Sequence, residues 1–142
     1  MGSISRNFSY CEFEKSDTAT RYHIMNNIID AKVRDAIKAL VENVLQPLRD
    51  EYGQPMFINS GFRCQELNEK VGGVPTSQHC KGEAADVGCA DPYKVACLAR
   101  AMNLPYDQMI LYPTFVHFSH KMDGEQRRQI LYNERYKGKR LE

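Results

Sequence analysis

The chain has 142 residues, a formal net charge of +1, and 42% hydrophobic and 26% charged residues, which is ordinary for a globular protein that buries its own core. The near-neutral charge excludes nucleic acid and an anionic membrane as expected main partners, and no apolar run is long enough to span a bilayer. We therefore expect one monomeric domain over residues 1–142, with an N-terminal arm at 1–29, a core at about 30–132 and a basic tail at 133–142.

Cysteine usage indicates a protein made in the cytoplasm. The odd number of cysteines and the absence of a C-x-x-C pair argue against a disulfide framework and a zinc ribbon. No secretory leader is visible in the first ten residues, which lack an apolar segment. The five cysteines are Cys11, Cys64, Cys80, Cys89 and Cys97.

The clearest local pattern is a long amphipathic helix that begins after Asp30 and ends at Gly53. Asp30 is a favourable N-cap, and glycine is a favourable residue just past a helix end. Pro47 removes one backbone donor and should bend the last turns. Apolar residues at the three-and-four spacing define the inward face: Val33, Ile37, Leu40, Val41, Val44, Leu45, Leu48 and Tyr52. Upstream, Ser16 should cap a short helix.

Shorter elements follow in the second half of the chain. The pattern predicts strands at 56–59, 84–88, 107–112, 115–119 and 129–132, helices at 64–71 and 93–102, and a loop at 77–79. Because helices come first and strands with interspersed helices follow, we expect an α+β domain. Its small, mostly antiparallel sheet should carry the functional site, with helices on its flanks.

One group of residues has the composition and spacing of a metal site. His79 and Asp86 lie seven positions apart in S-x-H-x-x-G-x-A-x-D, and His117 follows about thirty residues later on a predicted strand. Three ligands of this kind, with a fourth position open to water, are typical of zinc in hydrolases. Gly82 would let the chain turn tightly between the first two ligands. Spacing alone leaves two equal alternatives, a zinc site that activates water for amide hydrolysis and a set of ordinary polar residues.

Three segments resemble a known family. They are S-G-F-R at 60–63, the ten-residue motif at 77–86 and V-H-x-S at 116–119. Together they resemble the zinc D-alanyl-D-alanine carboxypeptidases, a family that includes phage L-alanyl-D-glutamate endopeptidases and vancomycin-resistance D,D-dipeptidases. The resemblance runs from about residue 30 to 131 and implies the fold shared with the hedgehog signalling domain.

The resemblance also implies roles for individual residues. It implies that His79, Asp86 and His117 bind Zn²⁺, and that Arg63 binds or polarises the substrate near a carboxylate or the scissile carbonyl. A guanidinium suits that role because it offers paired donors in a fixed geometry; a structural ion pair is the alternative. Ser77 and Gln78 are further candidates for substrate binding, and Ser77 could instead only shape its loop.

The general base is the point at which the chain departs from the family. Many members carry a glutamate shortly before the second histidine, whereas residues 111–114 contain no acid. His120 could take the proton, although strand alternation points it away from His117. Glu83 could serve if its loop turned inward. We favour a third alternative, in which Tyr112 donates a hydrogen bond to the oxyanion and no protein base is needed.

The function that follows is a zinc metallopeptidase that hydrolyses peptidoglycan stem peptides. L-Ala-D-Glu endopeptidase and D-Ala-D-Ala carboxypeptidase activities both remain open. We expect the protein to act at the bacterial cell wall, either as a phage or prophage endolysin released through a holin or as a bacterial enzyme after removal of a leader. The alternative is a catalytically weak or inactive zinc-bearing module that binds the cell wall.

Overall fold

The computed structural model describes residues 2–141. The α-helices are α1 (Tyr10–Glu14), α2 (Asp17–Arg21), α3 (Ala31–Leu40), α4 (Gln46–Tyr52), α5 (Gln65–Lys70) and α6 (Pro92–Ala101). The strands are β1 (Ser3–Ser5), β2 (Phe8–Ser9), β3 (Phe57–Ser60), β4 (Ala84–Gly88), β5 (Gln108–Leu111), β6 (Phe115–Ser119) and β7 (Gln129–Tyr132). Within residues 2–141, no helix combines the length and the apolar character needed to cross a membrane.

The long helix forms as predicted, with one local change. Its N-terminus is capped by the Asp30 carboxylate, which accepts the Lys32 N–H, and it ends at Gly53, whose φ is +70°. Between α3 and α4 the chain is a π-helix over Val41–Leu45. Pro47 lies two residues beyond it and has no N–H to give, so the wider turn accommodates the missing donor. The predicted apolar face is buried, apart from the half-buried Val33.

The five-stranded sheet has the order β3-β4-β6-β5-β7. The first three pairs are antiparallel, and β5 and β7 are parallel. The predicted α+β class is therefore confirmed, but the sheet is mixed rather than mostly antiparallel. The reason is that β6 ends beside the beginning of β5, so a chain that turns there and continues along the outer side of β5 must run parallel to it.

The two faces of the sheet have different neighbours. Val116 and Phe118 of β6 belong to the main core, together with the long helix and α6. Because side chains alternate along a strand, His117 faces the opposite side of the sheet. The sequence pattern missed β1, β2 and α1, which are too short for a period to show, although Phe8 and Phe13 from this region are buried in the same core.

Candidate metal centre

Three elements bring the predicted zinc ligands together. Asp86 and His117 are cross-strand partners in the middle of β4 and β6. His79 lies in a 3₁₀-helix, Gln78–Lys81, where a loop was expected. The reason for this difference is a cap, because Ser77 Oγ accepts the His79 N–H at 3.2 Å and closes the turn.

The distances between these donor atoms fit tetrahedral coordination of a metal ion. His117 Nδ1 lies 2.9 Å and His79 Nε2 lies 3.4 Å from Asp86 Oδ1, and all three donor atoms fall within 4.8 Å of one another. Ligand atoms around tetrahedral zinc are about 3.3 Å apart, given metal–nitrogen bonds of about 2.0 Å. His79 Nδ1–H donates to the Gly61 carbonyl at 2.8 Å, which leaves Nε2 free to bind a metal. The two imidazoles and the carboxylate are therefore a suitable donor set for zinc.

Asp86 is held in its charged form. Burial acts to raise the pKa of Asp86, but the contacts of its carboxylate with the rings of His117 and His79 outweigh burial and keep that pKa well below its usual value. The carboxylate therefore presents a full negative charge to a cation at neutral pH. Its side chain retains 16% exposure, so the group is reachable from solvent.

The turn between the first two ligands requires glycine. Gly82 has a φ of +76°, and a Cβ added there would lie 2.5 Å from the Val33 carbonyl oxygen. The glycine therefore provides both the left-handed backbone and the close approach of the long helix to the metal loop.

We expect the Gly82→Ala variant to lose about 3 kcal/mol of unfolding free energy, since it combines backbone strain with a backbone clash. Gly72→Ala is the matched control, because Gly72 also has a positive φ, +79°, but an added Cβ would meet nothing within 4 Å. This control should lose only about 1 kcal/mol. Urea unfolding of both variants measures the difference, and equal losses would contradict the role of the clash.

Arg63 is fixed beside the three donors. Its Nη2 lies 4.0 Å from Asp86 Oδ2, its Nη1 donates to Asn68 Oδ1 at 3.0 Å, and its Nε donates to Ser60 Oγ at 3.4 Å. Its backbone N–H also donates to the His79 carbonyl at 3.2 Å. The guanidinium is therefore oriented before any substrate arrives, and its side chain keeps 16% exposure.

Asn68 is a residue of this site that the sequence analysis missed. It is fully buried, accepts the Arg63 hydrogen bond and donates to the Val74 carbonyl at 2.8 Å. The one signal in the sequence was its position in a helix that begins directly after the S-G-F-R segment, five residues beyond Arg63. Nothing in the residue types indicated that its amide would orient the guanidinium.

The charges of Asp86 and Arg63 affect the pKa of Tyr112. Burial raises the pKa of its phenol, the Asp86 carboxylate adds to the increase and Arg63 opposes it. The ring stacks on Phe115 with the centroids 4.2 Å apart, and Phe115 shares a strand face with His117. The phenol is therefore protonated at neutral pH and can act as a hydrogen-bond donor.

Of the three other candidates, Gln78 and Glu83 form hydrogen bonds elsewhere, and His120 is buried with its Nδ1 lacking a hydrogen-bond partner among residues 2–141. The Gln78 side-chain amide donates to Asp107 Oδ2 at 3.2 Å and to Glu83 Oε1 at 3.4 Å. The Glu83 carboxylate also accepts the Met122 N–H. The His120 ring is buried, which lowers its pKa, and the charged groups that act on it are Glu83 and Asp107. The structure thus brings Arg63 to the three donors and places Tyr112 where the charge of Asp86 acts on its phenol.

A buried carboxylate connects the metal loop to the far strands. Asp107 is fully buried and accepts hydrogen bonds from the Arg127 backbone N–H at 2.8 Å, from Arg127 Nη2 at 2.7 Å and from Gln78. Burial acts to raise the pKa of Asp107, but the bonds from Arg127 outweigh it and lower that pKa. Gln78 adjoins His79, so its hydrogen bond to Asp107 helps to fix the segment that carries His79.

We expect the Asp107→Asn variant to lose about 2 kcal/mol of stability at pH 7, because the amide cannot accept all the bonds from Arg127. A carboxyl group whose folded pKa is lowered stabilises the protein above its unfolded pKa of 3.8, and this stabilisation is lost as the pH falls through the folded pKa. The stability gap between wild type and variant should therefore shrink below about pH 4. Urea unfolding between pH 3 and pH 7 checks this, and a gap independent of pH would contradict it.

Comparison with known proteins places the chain in a family. Residues 6–120 match the family described as Peptidase M15. The zinc D-Ala-D-Ala carboxypeptidase of Streptomyces albus G is 33% identical over 86 residues, which are 58% of this chain and 34% of the relative. The chain thus covers about a third of the length of this curated relative. Because the family match covers most of its length, the chain belongs to the peptidase M15 family.

Proposed function

We propose that this protein hydrolyses amide bonds of peptidoglycan stem peptides, with zinc held by His79, Asp86 and His117. The observation that carries the proposal is the convergence of these three donors within 4.8 Å of one another, with the Arg63 guanidinium 4.0 Å from Asp86. The name of the Streptomyces albus G relative supports both the metal and the class of substrate.

The chain's own residues perform most of the steps that this reaction requires. When bound, zinc supplies a Lewis acid that lowers the pKa of water and polarises a carbonyl group. Asp86 contributes a fixed negative charge, and the Gly61 carbonyl keeps the His79 ring in one tautomer and orientation. Arg63 anchors a carboxylate or carbonyl oxygen of the peptide, and Tyr112 donates a hydrogen bond to the charge that develops on the attacked carbonyl oxygen.

We expect the Tyr112→Phe variant to retain zinc and to show a kcat about a hundredfold lower, since one hydrogen bond to the developing oxyanion is removed. KM should change little because the bond strengthens only in the transition state. Tyr22→Phe is the control, since Tyr22 is half exposed and its ring contacts Lys70. Steady-state kinetics on a stem-peptide substrate measure both parameters. An unchanged kcat would show that the phenol has no role.

The bond that is cut defines two finer proposals, L-Ala-D-Glu endopeptidase and D-Ala-D-Ala carboxypeptidase. Purified protein should release new amino groups from isolated cell walls, and identification of the freed residue distinguishes the two activities. Release should stop on chelation and return with zinc. If the protein is an endolysin, it should in addition lyse bacterial cells when it is expressed in them and their membrane is permeabilised.

A zinc-bearing cell-wall-binding module is the second candidate. The observation that favours it is the absence of any acid in residues 111–114, where many relatives carry the general base. A stoichiometric zinc content combined with wall binding and no release of amino groups would support this candidate and overturn the hydrolase.

A further inference from the structure

Strand β3 offers an unpaired edge that leads to the metal centre. It is the first strand of the five-stranded sheet, and among the described residues 2–141 it pairs only with β4. It ends at Ser60, whose hydroxyl accepts the Arg63 hydrogen bond. Phe57, at its other end, is 62% exposed. An open edge of this kind presents backbone N–H and C=O groups to any extended chain that lies beside it.

A groove runs along this edge. A cavity of about 340 Å³ is lined by residues 57–59 and by Glu12 and residues 15–17 of the α1–α2 turn. A second cavity, of about 260 Å³, is lined by Asn59, Ser60 and Arg63, and again by residues 15–17. The two cavities share residues 15–17 and Asn59, and together they form the β3 groove, which is lined from Phe57 to Arg63.

The backbone of Ile58 faces this groove. The His120 N–H donates to the Glu83 carbonyl, so this carbonyl points toward β6. Alternation along β4 then points the N–H and C=O of Gly88 toward β3, where Gly88 pairs with Phe57. Ile58, the next residue of β3, therefore directs its N–H and C=O outward. Within residues 2–141, the backbone of Phe57–Ser60 has no hydrogen-bond partner in any segment other than β4.

Asn59 lies at an irregularity in the same strand. The register with β4 shifts between Ile58 and Ser60, so Asn59 has no cross-strand partner. Such bulges often lie next to active sites, because they redirect a side chain. Here the bulged residue lines both cavities of the groove.

We propose that the β3 groove binds an extended segment of the substrate peptide as an added strand, which the backbone of Ile58 and the side chain of Asn59 align with the metal centre. The inference rests on the proposed function and names the form of substrate that this site takes. The occupant is a peptide because the groove offers a backbone edge and is continuous with Arg63. The four residues of β3 span about 13 Å, so about four extended residues fit along it, and a dipeptide would leave most of the groove unused.

Substrate length gives the first test. The value of kcat/KM should rise at least tenfold from a dipeptide to a tetrapeptide with the same scissile bond. N-methylation of one amide away from that bond should reverse most of the gain, because it removes a strand hydrogen bond. An Ile58→Pro variant should retain zinc and dipeptide turnover but lose the gain, whereas the control Ile58→Val should keep it. Equal turnover of dipeptide and tetrapeptide would overturn the proposal.

A second test does not depend on turnover. Hydrogen exchange of the zinc-free protein should show at least tenfold protection of the Ile58 amide, which faces the groove, when a stem tetrapeptide is added. The amides of β7, the opposite edge of the sheet, are the internal control and should not change. Protection without turnover would refute the hydrolase and leave the groove intact, whereas turnover without protection would refute the groove alone. Protection without peptide, in a protein that sediments as a dimer, would show that a second copy occupies the edge and would overturn the proposal.

Discussion

The Asp86→Ala variant should bind no zinc at neutral pH and should lose more than about a thousandfold in kcat/KM on a stem-peptide substrate, or about 4 kcal/mol of transition-state stabilisation. Asp86 Oδ1 contacts both histidine rings, at 2.9 and 3.4 Å. Its loss removes the charge that compensates a divalent cation and leaves two imidazoles as ligands. Metal content after dialysis and steady-state kinetics measure the two effects.

The control for this variant is Asp35→Ala, which removes an exposed carboxylate from the long helix. It should keep both zinc and activity. Circular dichroism should show that Asp86→Ala is folded, since the substitution introduces no clash and removes a partly buried charge. A folded Asp86→Ala variant that holds one equivalent of zinc would refute the assignment of the ligands.

The Arg63→Ala variant should keep zinc and lose about a hundredfold to a thousandfold in kcat/KM, because a fixed donor to a substrate oxygen is removed. Arg63→Lys should recover only part of this loss, since a lysine has no paired donors to match a carboxylate. The hydrogen bonds to Asn68 and Ser60 indicate that the wild-type guanidinium is preorganised, so the loss should appear in kcat as well as in KM.

Arg21→Ala is the matched control, because Arg21 lies in the last turn of α2 and is exposed. It should change neither zinc content nor kinetics. If Arg63→Ala lost its zinc together with its activity, Arg63 would be a structural ion-pair partner of Asp86 and not a substrate ligand.

Local signals in the sequence were sufficient for most of the scaffold. The long helix was predictable because its apolar period extends over more than twenty residues, and Asp30 and Gly53 mark its ends. The N-terminal elements were not, because β1, β2 and α1 have two to five residues each, fewer than a period needs. The parallel edge strand depends on where residues 120–128 cross the end of the sheet, which residue types do not encode.

The metal centre was also predictable only in part. The spacing within residues 77–86 indicated a ligand set, because a tight turn between two ligands requires small residues close to them. Gly82 is such a residue: it has a positive φ and packs closely against the long helix. The supporting contacts were not readable, since they join residues that are distant or uninformative by type. The bond from His79 to the Gly61 carbonyl and the bond from Arg63 to Asn68 are of this kind.

The three donors belong to segments up to 38 residues apart and meet only when β4 pairs with β6 and the 3₁₀-helix that carries His79 packs beside them. An unfolded chain therefore offers no comparable site, and binding selects the native state alone. At a free metal concentration one hundred times the dissociation constant, this selection adds about 2.7 kcal/mol to apparent stability. The melting temperature of this protein should consequently depend on the free metal concentration. A chelator should therefore both lower the proposed activity and reduce the stability of the fold.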